Sequence, residues 1–216
     1  MNNLARILLI SLVSIIVLSA CGEKIDELQN TMEVMKNLPE AAEKLEETTN
    51  LAEQKIQERK AKGDTLAMNF KELINYLPAS IDGFTAEEPD GSTTNSMGFS
   101  FSQASRTFNK TVGDNQQSIR IELIDYNASY AYLSGLAYWT NLNISTENTK
   151  GFERTSKTNI ENAFAYEKFQ TDTKSGGITY VLGYRFILNV EGNNVDNFDV
   201  IKNAANKIDL KKLASF

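Results

Sequence analysis

Along residues 178–191, ITYVLGYRFILNVE, apolar and polar positions alternate with a period of two. Ile178, Tyr180, Leu182, Tyr184, Phe186, Leu188 and Val190 fall on one face, and Thr179, Val181, Gly183, Arg185, Ile187, Asn189 and Glu191 on the other. The pattern predicts one long strand over a core, with a second face only partly covered. Similar stretches predict strands at about 98–108, 118–125, 151–155 and 163–171. Gly113-Asp114-Asn115 and Ser175-Gly176-Gly177 have the composition of hairpin turns between antiparallel neighbours.

Period-3.6 patterns interrupt this series. Residues 129–142, SYAYLSGLAYWTNL, predict a helix with Tyr130, Leu133 and Ala137 on one side. Residues 195–207 predict another that turns Phe198, Ile201, Ala205 and Ile208 inward, and a short helix is expected at 70–76. The order is strands, helix, strands, helix. It implies an α+β domain over residues 69–216, an antiparallel sheet with helices on its apolar face.

Residues 24–64 differ in kind: Glu, Lys, Gln, Ala and Leu dominate, aromatics are absent, and Gly63-Asp64 reads as a stop. A long helical segment is predicted to precede the domain. Its apolar stripe runs Ile25, Leu28, Met32, Met35, then shifts phase to Leu38, Ala42, Leu45, Thr49, Ala52 and Ile56, so a bend is expected near Pro39. Such a segment serves as a spacer, as a helix folded back on its own domain, or as a coiled coil. Thr49 and the two alanines make the last a weak seam.

The amino terminus sets location. Residues 1–6 carry one basic side chain, and residues 7–20 are uncharged, a signal-peptide core too short to span a bilayer. Leu18, Ser19, Ala20 and Cys21 then resemble the lipobox of bacterial lipoproteins. The resemblance implies cleavage of residues 1–20, a diacylglyceryl group on the Cys21 thiol, and acylation of the new amino terminus by a chain such as palmitate. Two or three chains, at roughly 0.8 kcal/mol per buried methylene, give firm membrane anchoring. Residues 21–64 become the lipidated terminus and helical spacer. Gly22 follows the cysteine where an aspartate would signal inner-membrane retention, which implies the outer membrane in a host that has one.

Without residues 1–20 the chain keeps 21 basic and 28 acidic side chains, a net charge of −7. That balance argues against nucleic acid as a partner. With Cys21, the only cysteine, committed to lipid, no thiol remains for a disulfide, metal or nucleophile. The chain has no histidine, which removes the commonest general base and zinc ligand. Neither a metal nor another cofactor is expected.

Four carboxylates are candidates for general acid and base work: Glu122 and Asp125 near the end of one strand, Glu161 and Glu167 flanking another. They would need to converge in a pocket; otherwise they are solvated strand-edge acids. Tyr126, Tyr130, Tyr132, Tyr138 and Trp139 cluster within fourteen residues. Of these, Tyr126, Tyr130 and Trp139 are candidates to line a ligand groove, against packing under loops. Arg185 is a candidate for binding a carboxylate or phosphate, against pairing with a neighbour such as Glu167.

The element order over residues 80–213 is loosely similar to the sheet-and-helix domains of the PsbP family of photosystem II extrinsic proteins and its bacterial relatives. Two functions follow as expectations. One is a non-catalytic envelope lipoprotein binding an envelope protein or a small ligand; the other is a carboxylate-dependent envelope hydrolase.

Overall fold

Residues 178–191 do not run as one strand. In the computed structural model, which describes residues 43, 46–96, 99–127 and 144–216, the chain reverses at Gly183-Tyr184. Both residues have positive φ, +60° and +51°, and the Arg185 N–H donates to the Leu182 carbonyl to close the turn. The loop between the paired residues Leu182 and Phe186 is three residues long, so the two-residue period passes through it unchanged. Ile178, Leu182, Phe186, Leu188 and Val190 therefore lie buried on one face as the alternation predicts, but in two strands.

Among the described residues nine strands form one antiparallel sheet. They are β1 (Thr85–Ala86), β2 (Asp90–Ser96), β3 (Phe99–Val112), β4 (Asn115–Asp125), β5 (Ser145–Asn148), β6 (Gly151–Ser156), β7 (Ala163–Gln170), β8 (Ser175–Leu182) and β9 (Phe186–Asn193). The order across the sheet is β1-β3-β4-β9-β8-β7-β6-β5, with β2 beside β3. Gly113-Asp114 closes the β3–β4 hairpin as expected. The turn expected at Ser175-Gly176-Gly177 lies instead at residues 171–174. The two glycines belong to β8, and a Cβ at Gly176 would sit 2.2 Å from the Lys168 carbonyl oxygen. Strands β1, β2 and β5 carry little alternating apolar character, and no sequence expectation covered them.

Helices α1 (residues 46–61), α2 (Phe70–Leu73, continued by a 3-10 turn at Ile74–Tyr76), α3 (Phe198–Ala205) and α4 (Leu210–Ala214) complete the described elements. Asn69, Asn197 and Asp209 cap α2, α3 and α4, each accepting a backbone N–H of the first turn. Phe198, Ile201, Ala205 and Ile208 are buried, as predicted. Helix α3 approaches β9 over Gly192, where a Cβ would meet Ile201 Cγ1 at 2.7 Å.

The main core lies between the sheet and α2, α3 and α4; Phe108, Ile119, Leu123, Leu188 and Ile201 are fully enclosed. A smaller apolar cluster, Ile124, Tyr126, Val181 and Ile187, occupies the other face. The described domain is thus α+β, with helices on the apolar face of an antiparallel sheet. The predicted helix at 129–142, Tyr130, Trp139, Cys21 and the first part of the helical segment lie outside the described residues.

Helix α1 is fixed to the sheet end. Thr48, Ala52, Ile56 and Arg59 are buried along one stripe, and the helix ends where Gly63 takes φ +78°. The rest of the predicted segment, apart from residue 43, lies outside the described residues.

Candidate functional site

The most concentrated chemistry among the described residues gathers where β4 ends, the β8–β9 turn begins and the chain leaves α1. Asp125 is the last residue of β4 and is completely buried. Its Oδ1 accepts the Asn127 N–H at 2.8 Å and its Oδ2 the Met68 N–H at 2.7 Å. Arg185, 3% exposed, donates Nε to both Asp125 oxygens at 3.1 and 3.0 Å and a terminal nitrogen to Oδ2 at 2.8 Å. Its other terminal nitrogen reaches Asp64 Oδ2 at 2.6 Å. The guanidinium also lies over the rings of Phe186 and Phe216, 5.0 and 5.7 Å from their centroids.

A second arginine completes the cluster. Arg59, 5% exposed, donates to the carbonyls of Gly183 at 3.3 Å, Tyr184 at 3.2 Å and Asn127 at 3.3 Å. Its Nε is buried with no hydrogen-bond partner. Asn127, at φ +23°, donates its side-chain amide to the Leu66 carbonyl at 2.6 Å.

Two arginines and two aspartates balance in charge. Burial pushes the pKa of Arg59 down, with the like charge of Arg185 adding to it. Burial acts on Arg185 in the same direction, but hydrogen bonding to Asp125 and the fields of Asp125 and Asp64 hold its pKa above the ordinary arginine value. Every guanidinium nitrogen of Arg185 is thereby engaged with a carboxylate of the chain itself. Pairing with a neighbour such as Glu167 was one of the two uses expected of Arg185, and the neighbours it pairs with are Asp125 and Asp64. Glu167 lies two strands away and pairs with Arg154 at 2.8 Å.

The candidate carboxylates do not come together. Glu122 and Asp125, three residues apart on one strand, point to opposite faces, and Glu122 pairs with Arg120 at 3.1 Å on the surface. Glu167 is 5% exposed on β7, about 14 Å from β4 across the sheet at ordinary strand spacing. It raises the pKa of Tyr180, after the larger effect of burial. Glu161 is exposed in the connection between β6 and β7. Replacing Glu122 with Gln is expected to change stability by less than about 0.5 kcal/mol, because a half-solvated pair of this kind contributes little; urea unfolding checks this.

Of the aromatic candidates, Tyr126 is 8% exposed and meets Phe101 edge-on at 5.3 Å, while its N–H donates to the Arg185 carbonyl. It packs in the second-face cluster. An open groove of about 560 Å³ lies elsewhere, lined by Ile81, Asp82, Phe84, Lys110, Asn203 and Lys207. Lys207 pairs with Asp82 and Lys110 lies over the Phe84 ring.

Sequence reasoning missed Arg59, Asp64 and Asn127. Arg59 left a signal: it continues the apolar stripe Ala52, Ile56 at the next helical step, where a charged side chain must find buried partners. Asp64 was read only as part of a helix stop, and Asn127 gave no signal.

Compared with known proteins, the chain matches no family model, no curated protein sequence and no solved structure.

Proposed function

We propose that the protein is a lipid-anchored lipoprotein of the bacterial cell envelope whose α+β domain is a binding module for an envelope protein or a small ligand. The observation that carries this is Leu18-Ser19-Ala20-Cys21, whose first three residues close the uncharged run of residues 7–20. The lipid supplies the membrane attachment, and the acidic mature chain favours partners other than nucleic acid. In a host with two membranes, Gly22 favours the outer one.

The placement of the charged groups supports binding over catalysis. Asp125 and Glu167 are each neutralised by an arginine, and the four candidate acids occupy separate positions. Surface grooves such as that between residues 81–84 and α3 offer amides, two lysines and an aromatic ring to a polar ligand.

Replacing Cys21 with Ser is expected to move the protein from the membrane fraction to the soluble fraction and to abolish incorporation of labelled palmitate. Unchanged membrane retention with no label in the parent protein would overturn the lipid assignment. Crosslinking in intact cells then tests the binding role: capture of one envelope protein supports it, and turnover that disappears on replacing a single carboxylate in a folded protein refutes it.

A further inference from the structure

We propose that β2 is a dimerisation edge: two copies of the chain pair through it, antiparallel about Thr93, so that the sheet continues from one copy into the other. Among the described residues the sheet has two edges, β5 on one side and β1 with β2 on the other. β5 has four residues, Glu147 among them, and β1 has two. β2 has seven, with no proline and no lysine, and its one charged residue, Asp90, stands at its end. Shortness, lysines and prolines keep sheet edges from pairing, and β2 carries none of these protections. Asp90, Ser92, Thr94, Asn95 and Ser96 are exposed.

Hydrogen bonds at the start of the strand identify the backbone groups that face outward. The Ser92 carbonyl accepts from Ser102 Oγ at 3.2 Å, so it points toward β3. The Gly91 N–H donates to the carboxylate of the adjacent Asp90 at 2.8 Å instead of to β3. Because the direction alternates along an antiparallel strand, Gly91, Thr93 and Asn95 present their N–H and C=O groups to the open side.

A second copy fits this edge because the strand is complementary to itself. With Thr93 opposite Thr93 of the second copy, Gly91 meets Asn95 and every residue of β2 has a partner. Asp90 then lies opposite Ser96, so no like charges face each other in an acidic chain, and Glu87 and Glu88 fall beyond the paired rows. Ser92 stands opposite Thr94 on the exposed side, where hydroxyl side chains bond across strands. Moving the register by two residues in one direction sets Pro89, which has no N–H, opposite Asn95. Moving it in the other runs Asp90 and Gly91 past the end of the strand. The pairing is two-fold and closes, because it consumes the same edge of both copies.

Sedimentation equilibrium of the full chain as purified, in a density-matched detergent, reads the protein's mass and does not depend on the lipid assignment. The parent protein is expected to pass from monomer to dimer as its concentration rises to about 100 µM, since an interface of this kind is small. Ser92→Lys combined with Thr94→Lys sets lysine opposite lysine twice in the dimer. It should raise the dissociation constant about tenfold, although it brings the acidic chain closer to neutrality. Ser92→Lys combined with Thr94→Glu sets lysine opposite glutamate and should stay within about threefold of the parent. Both positions are exposed on an edge strand, so the fold accommodates these side chains. A parent protein that stays monomeric overturns the proposal and leaves the edge to an extended segment of another protein. Assembly beyond the dimer overturns it, as does a dimer that the two lysines do not weaken. So does a lysine–glutamate variant as weak as the double-lysine one, because pairing about Thr93 requires the two to differ.

Discussion

Asp125→Ala is expected to lower the unfolding free energy by about 3–5 kcal/mol, the range for breaking a buried ion pair from one side. The size follows from what the carboxylate satisfies. It neutralises Arg185, whose side chain is only 4% exposed, and accepts the backbone N–H groups of Met68 and Asn127. Alanine leaves those donors without their acceptor and leaves Arg185 with Asp64 alone, a group 38% exposed and correspondingly screened. Asparagine does not repair the site, because one of the two oxygens that now face donors becomes an amide nitrogen.

Urea unfolding of Asp125→Ala, Arg185→Met and the double variant measures the effect. The double variant should be less destabilised than the sum of the singles, with a coupling of about 0.5–3 kcal/mol, since it removes the uncompensated charge. Additive losses would mean that the two groups do not act as a pair.

The same cluster shows where the sequence was legible and where it was not. Periodicity reports which face a residue occupies, and it did so for Ile178, Leu182, Phe186, Leu188 and Val190, all buried on one side. It does not report chain direction. A three-residue loop preserves parity between the strands it joins, so Leu182 faces Phe186 across a hairpin as it would have followed it along a single strand. The only local sign of reversal was Gly183, whose neighbour Tyr184 shares its left-handed conformation although tyrosine rarely marks a turn. Gly176 and Gly177 illustrate the converse. Their composition suggests a turn, but β8 uses Gly176 for the close approach of the Lys168 carbonyl, a tertiary demand without a local signature.

For the cluster itself, composition identified charged residues, but pairing depends on chain separations of 60 and 121 positions. Arg185 was placed on a strand face, and from there Glu167 looked within reach. Once the chain turns at Gly183, Arg185 belongs to the sheet end, where β4 delivers Asp125 and the exit from α1 delivers Asp64. The helical segment was legible as helix and stop because Gly63 is a local signal. That its last turn bonds the sheet end is a long-range fact, hinted at only by a charge on the stripe.

Gly183→Val is expected to cost about 2–5 kcal/mol, adding two effects. At φ +60° a residue with a Cβ pays roughly 1–2 kcal/mol, at the upper end for a branched side chain. The new Cβ would also stand 2.9 Å from the Ala214 carbonyl oxygen and 3.2 Å from its carbon, both backbone atoms of α4. That helix would have to shift away from the β8–β9 hairpin, and forcing atoms into a packed site costs typically 1–3 kcal/mol. Any shift of the turn also moves the Gly183 carbonyl held by Arg59 and the N–H given to Asn162. Gly183→Asn separates the two contributions, since asparagine tolerates the left-handed conformation but carries the same Cβ. A loss for asparagine close to that for valine assigns the effect to crowding against α4, and a much smaller loss assigns it to backbone strain. An unchanged urea midpoint for valine would show that the chain does not turn at this glycine.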